Sequence, residues 1–187
     1  KDCYRFAKLG VDLAHKLNDP SVLSGSYFLW AMFASHWVKP IDESIELYRK
    51  SIQFGMQSGD HLHTGYSIAR RFSHVQYRGA SLPELVDEGR AALELLARIG
   101  DPTNVQFIEP RLRLIDWLRG ERRYGNTLGS AEHDEAAWTA IIAARGNRSF
   151  EHDWRRLLAV QRYHAGAFEE AYDLARVSNE LVPYSAG

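Results

Sequence analysis

Residue types able to do chemistry are present in this chain, and their spacing decides what they can do. Eight histidines raise metal binding first. His61 and His63 stand two apart at an expected helix start, which turns their side chains about 200° from one another, away from a shared ion. His-Glu-x-x-His does not occur, so no metal ligand is assigned. Two triplets, Glu132-His133-Asp134 and Glu151-His152-Asp153, look like acid–base clusters when read linearly. Each sits beside an expected helix start, where carboxylates favour the positive end of the helix dipole, and both are read as capping groups. Cys3, the single cysteine, has no base near it in sequence to activate it as a nucleophile. Neither a phosphate loop ending in Gly-Lys-Ser/Thr nor a kinase catalytic loop is present. The expectation is therefore no catalytic residue, no cofactor and no metal.

Charge and aromatic groups offer binding chemistry instead. Arg111, Arg113, Arg119, Arg122 and Arg123 fall within 13 residues, and Arg145, Arg148, Arg155, Arg156 and Arg162 form a second group. Arg119, Arg122 and Arg123 can share a helix face that runs into a loop. Because Glu109, Asp116 and Glu121 are interleaved, a solvated, salt-bridged face is expected, with docking of an acidic peptide or a nucleotide phosphate as the alternative. His36-Trp37 precedes Lys39-Pro40 and reads as a helix C-terminus, with the imidazole near the last carbonyls and the indole filling a gap between repeats. A ligand contact is the alternative there.

The elements that must position these groups announce themselves by a repeat. Asn18-Asp19, Gly59-Asp60 and Gly100-Asp101 each follow an apolar amphipathic stretch, and the aspartates are 41 residues apart in both intervals. Gly or Asn closes one helix in the left-handed conformation, and Asp caps the next. A second mark, at Trp37–Pro40, Gly79–Ser81 and Gly120, divides each unit into two helices. The pattern predicts helices over 21–37, 41–58, 62–78, 82–99 and 105–118. Ser81 with Glu84 forms a capping box, and Pro83 fits the first turn. An irregular loop is expected over about 121–133, then a helix from near Asp134 to Gly146-Asn147. A final pair carries Trp154, Leu157, Leu158 and Tyr163 on one helix and Glu169–Ala175 on the next, ended by Pro183. A lone α-hairpin cannot bury both faces, so stacked neighbours must complete the core.

The spacing of Gly166, Phe168, Ala171 and Pro183 resembles the tetratricopeptide repeat pattern. More widely, Phe33–Pro40, Ser44-Ile45, Gly55–Asp60 and Tyr66 resemble the helical repeat region of large bacterial signalling proteins. In those chains an AAA- or STAND-type ATPase precedes the repeats, and GAF or PAS modules with a histidine kinase or diguanylate cyclase follow. The resemblance implies an all-α, right-handed α–α superhelix of about four hairpins forming one domain over 1–187, and places the ATPase and kinase activities in flanking segments. A chain beginning at Lys1 is accordingly expected to be a piece of a longer protein.

Composition agrees with a folded module. Of 187 residues, 45% are hydrophobic and 25% charged, with a net charge of −1, which argues against a surface built for nucleic acid or an anionic membrane. The longest apolar run, Tyr27 to Ala34, is too short to span a bilayer, and one cysteine fits a reducing compartment such as the cytoplasm. The expected function is a non-catalytic interaction module whose groove receives a protein, a peptide or a segment of its own chain. Tyr27, Tyr66 and Tyr77 on first helices are contact candidates, as are Trp37, Arg71, Arg119, Arg122 and Arg123. The alternative is small-molecule sensing in a mostly apolar pocket near Trp37, Arg71 or the 121–130 loop. An enzyme ranks third.

Overall fold

A computed structural model describes residues 2–121, 127–130 and 134–184, and every regular element among them is helical. The helices are α1 Asp2–Leu17, α2 Pro20–Phe33, α3 Ile41–Ser58, α4 His61–Tyr77, α5 Leu82–Ile99, α6 Pro102–Leu118, α7 Glu135–Ala144, α8 Arg148–His164 and α9 Phe168–Glu180. The chain divides into two compact units, residues 1–108 and 109–187, so the division falls within α6. There Pro110 lacks the N–H that would have met the Gln106 carbonyl.

The first unit is set by its turns. Asn18, Gly59 and Gly100 take φ values of 52°, 73° and 69°, which close α1, α3 and α5. The following aspartates then accept from the next helix: Asp19 from the Ser21 N–H at 2.9 Å, Asp60 from His63 at 3.2 Å and Asp101 from Asn104 at 3.0 Å. The 41-residue spacing is thus a spacing of helix caps. At Ser81 only half of the capping box forms. Its hydroxyl accepts from the Glu84 N–H, while the Glu84 carboxylate turns to Arg78. The helix expected to reach Trp37 stops at Phe33, and Ser35–Trp37 forms a separate 3₁₀ turn closed by Val38 N–H to the Ser35 carbonyl at 3.0 Å. Pro40 disfavours helical backbone in the residue before it, so the chain tightens and leaves the helix early.

Each helix packs on the next from α1 to α5, and α2 also reaches α4. Val11, Leu23, Tyr27, Trp30, Leu47 and Tyr48 form the apolar core at the start of the unit. Between α2, α3 and α4 the buried side chains are small. Ser51 donates to the Ser24 carbonyl at 2.8 Å, and Ser67 donates to Ser51 Oγ at 2.7 Å. Gly55 belongs to this seam, because a Cβ there would stand 2.1 Å from Thr64 Oγ1.

In the second unit α7 packs on α8 and α8 on α9, and the 3₁₀ turn Val182–Tyr184 folds back onto α8 and α9. Asn147 caps α8 by accepting from Ser149 and Phe150. Of Glu151-His152-Asp153, Glu151 stands in the first turn of α8 at the positive end of the dipole as expected, while the cap itself is Asn147. Glu151 binds Arg155 and Arg148, and Asp153 pairs with Arg111 at 2.7 Å. Asp134 caps α7 as its triplet predicted; Glu132 and His133 lie outside the described residues. The expected solvated arginine face is corrected at Arg111, which is only 5% exposed. Its planar guanidinium satisfies a carboxylate between helices, which a solvated lysine-like group would not do. Arg113 lies over the Trp138 ring and donates to the Leu128 carbonyl at 3.2 Å. Through that bond the described part of the loop, 127–130, is anchored with Leu128 buried.

Candidate functional site

An apolar concavity lies on the α8–α9 hairpin. Gly166, at φ 84°, sits in the three-residue connection that closes α8 and turns the chain back into α9. On α9 the residues Phe168, Ala171, Tyr172, Ala175 and Ser178 recur at intervals of three and four, and on α8 so do Arg156, Ala159, Val160 and Tyr163. Both helices therefore turn one stripe toward the same groove, whose volume is about 590 Å³. Its floor is small, built of the buried Ala159 and Ala171, with the exposed Ala175 beside them, while Tyr163, Phe168 and Tyr172 stand at the rim 60%, 62% and 69% exposed. Tyr163 and Phe168 meet edge to face at 5.5 Å, so the rim keeps its shape at the hairpin end. The charges beside it are spent locally, Arg156 on Asp153 at 3.1 Å and Arg162 on Glu170 at 3.0 Å. What the groove offers is apolar surface, worth about 1.5–3 kcal/mol for each large side chain fully covered.

His152 and Ser178 face each other across this hairpin and could be taken for a base and a nucleophile. His152 Nδ1 stands 2.9 Å from the Ser178 carbonyl, which only accepts, so Nδ1 carries the hydrogen. Ser178 Oγ then donates to the His152 carbonyl at 3.1 Å. The pair is a reciprocal clasp between α8 and α9, with no lone pair on Nδ1 to take the serine proton.

The sequence-derived candidates fall elsewhere and apart. Trp37 is 74% exposed and does not fill a gap between helices. Its ring meets His36 at 4.8 Å, His36 meets His74 at 6.2 Å, and His74 meets Tyr77 at 6.2 Å, so Trp37 and Tyr77 share one aromatic patch. His36 does approach a helix-end carbonyl, that of Ala31 at 3.3 Å. Burial holds the His74 imidazole below its ordinary pKa, and the charges of nearby His36 and Arg70 act in the same direction. Tyr27 is buried, its hydroxyl 2.8 Å from His15 Nε2, and is no contact residue. Tyr66 lines a smaller, more polar groove of about 370 Å³ with Leu62, Asp101 and Asn104. Arg71 is engaged by Glu88 on α5 through two bonds, and Arg119 by Asp116 and Glu121. Arg122 and Arg123 lie outside the described residues.

The α8–α9 groove is lined by neither Trp37 nor Arg71, and residues 122–126 of the 121–130 loop, where a pocket was also anticipated, lie outside the described residues. The residues missed were Tyr163, Phe168 and Tyr172, read as repeat packing because their spacing is that of packing residues. Also missed was the outer face of α1, where Phe6, Leu9, Leu13 and Leu17 are all more than half exposed. A signal existed there, since α1 carries two apolar stripes, Tyr4-Ala7-Val11-Ala14 and Phe6-Leu9-Leu13-Leu17, and α2 covers only the first.

Among the described residues no group of three or more His, Cys, Asp or Glu is placed to hold a metal ion, and no helix is long and apolar enough to cross a membrane. No protein-family model and no curated protein matches the chain.

Proposed function

We propose that this chain is a non-catalytic helical repeat module, a right-handed tetratricopeptide-like stack of about four α-hairpins. It serves a cytoplasmic bacterial signalling protein of the sensor-kinase type by holding protein or peptide segments, including segments of its own parent chain. The observation that carries this reading is the α8–α9 groove, with its small floor, aromatic rim and neutralised flanks. Such a surface suits the apolar face of a helix or an extended segment. The spacing of helix caps along the first unit supports the repeat organisation. The signalling context rests on the resemblance carried by Phe33–Pro40 and Gly55–Asp60.

Selection from a displayed library of helical peptides tests the reading. Enriched sequences should carry large apolar residues at i, i+3 or i+4, and i+7, and Ala175→Arg should abolish their binding while the circular dichroism spectrum is unchanged. An empty selection, or binders indifferent to Ala175→Arg, would sink it. A second reading, an effector pocket, is favoured by the groove's volume, which falls within the range of small-ligand sites. Stabilisation by one metabolite in a thermal-shift screen, lost in Ala175→Arg, would select it.

A further inference from the structure

The 41-residue spacing sets the same local device at the starts of α4 and α6, and the two differ in one residue. Asp60 caps α4, and three residues on His63 turns Nδ1 to Asp60 Oδ2 at 2.7 Å, so this cap carboxylate has a basic partner. Asp101 caps α6 in the same way, but one repeat after His63 the chain carries Asn104. Its amide donates from Nδ2 to Asp101 Oδ2 at 2.6 Å and brings no charge. Among the described residues Asp101 has no ion-pair partner, and both of its hydrogen bonds come from Asn104. We propose that the recess lined by Tyr66, Asp101 and Asn104 binds the ammonium group of a small amine, whose apolar body lies against Leu62 and Tyr66.

The recess has a volume of about 370 Å³, room for a small ligand. Asn104 lines it and is only 3% exposed. Because Nδ2 is given to the carboxylate, the other arm of the amide is Oδ1, and this buried oxygen has no hydrogen-bond partner among the described residues. A buried acceptor without a donor is unfavourable, and an ammonium group supplies the donor. Each oxygen of Asp101 accepts one bond, which leaves lone pairs on the carboxylate for the same cation. The backbone of α4 closes on the pair, since a Cβ at Gly65 would stand 1.9 Å from Asp101 Oδ2 and 2.9 Å from Asn104 Nδ2. Tyr66, its ring stacked on Phe28 at 5.8 Å, and Leu62 supply an aromatic and an apolar wall, the pairing that suits an organic cation.

An anion is what a bare helix start attracts, and three features oppose one here. Pro102, the first residue of α6, has no N–H, the Asn104 N–H is taken by Asp101, and the carboxylate repels negative charge. His61, a basic residue on the lining, is exposed and forms no ion pair with Asp101.

This site lies wholly within the first unit and stands or falls independently of the α8–α9 groove. Titration of the whole chain with 2-phenylethylamine, 2-phenylethanol and 3-phenylpropanoate, followed by backbone amide chemical shifts, tests it. The amine should give saturable shifts at Tyr66, Gly100, Asp101 and Asn104 by about 10 mM, the affinity range of so small a ligand. The alcohol, which lacks the charge, should bind about tenfold more weakly or worse, and the carboxylate should leave these signals unmoved. Asp101→Asn keeps a capping side chain and removes the charge, so amine affinity should fall about tenfold or more while the circular dichroism spectrum stays helical. Should that variant fail to fold, the three wild-type titrations decide alone. Equal affinity for amine and alcohol overturns the inference, as does a preference for the carboxylate. So do shifts confined to other parts of the chain, no shift up to about 10 mM, or unchanged amine affinity in folded Asp101→Asn.

Discussion

A missing methyl group at Gly65 decides how α4 meets the start of α6. A Cβ there would lie 1.9 Å from Asp101 Oδ2, which is held at 2.6 Å by Asn104 Nδ2 while Oδ1 caps α6. Replacing a mid-helix glycine by alanine ordinarily gains about 1 kcal/mol, but here the carboxylate cannot yield without releasing the cap. Gly65→Ala is expected to cost about 1–3 kcal/mol net, read as a lower midpoint in urea; a raised midpoint would mean Asp101 moves aside freely. In the second unit the buried pair of Arg111 and Asp153 makes a similar demand. Asp153→Ala takes a carboxylate from a guanidinium that is 5% exposed, and chemical denaturation should register a loss of about 3–5 kcal/mol. A loss below about 1 kcal/mol would show that water replaces the carboxylate. His74 adds a pH dependence. Its Nδ1–H is bonded to the Arg70 carbonyl, and Tyr48, His36 and Tyr77 surround the ring. Burial lowers its pKa from the unfolded value near 6.5, so at lower pH the unfolded chain binds the extra proton. Stability contributed by neutral His74 is present above about pH 6.5 and lost as pH falls below it. The melting temperature should therefore drop between pH 7.5 and 5.5, and His74→Phe should flatten that drop; an identical slope in the variant would assign the dependence to other groups.

The helices themselves were legible because their signals are local. A cap, a left-handed residue and a period of three or four all lie within a few positions, so Ile41–Ser58 and Leu82–Ile99 were fixed without any tertiary information. Which face of a helix ends up bare is a property of its neighbours, and there sequence spacing misled. Tyr27 went to the core, Trp37 to the surface and Arg111 to an inter-helix pair, because an aromatic or an arginine at helical spacing suits either environment. The groove was illegible for the same reason, as its alanines and aromatics obey the packing pattern of a covered hairpin. Element-level signals carry their own prediction. Gly100→Ala forces a Cβ into φ 69° and should cost about 1–2 kcal/mol, although the added methyl meets nothing within 4 Å. A neutral result in thermal unfolding would show that the α5–α6 turn relaxes out of the left-handed region.

For the whole molecule, near-zero net charge leaves little long-range electrostatic drive, so apolar contact governs what it meets. Binding of an apolar helical peptide in the α8–α9 groove should then weaken on cooling, because hydrophobic attraction fades at low temperature. Titration of a selected peptide at 5 °C and 25 °C checks this, and tighter binding in the cold would mean that polar contacts dominate. The one thiol of the chain bears on how such contacts can be watched. Cys3 is exposed and stands three residues, just under one turn, before Phe6 on α1, with its sulfur 3.9 Å from the Phe33 carbonyl oxygen. A fluorophore attached there would sit beside the exposed Phe6-Leu9-Leu13-Leu17 stripe with no substitution made elsewhere, so the sequence already contains a single attachment point for a reporter whose emission changes when that face of α1 is covered.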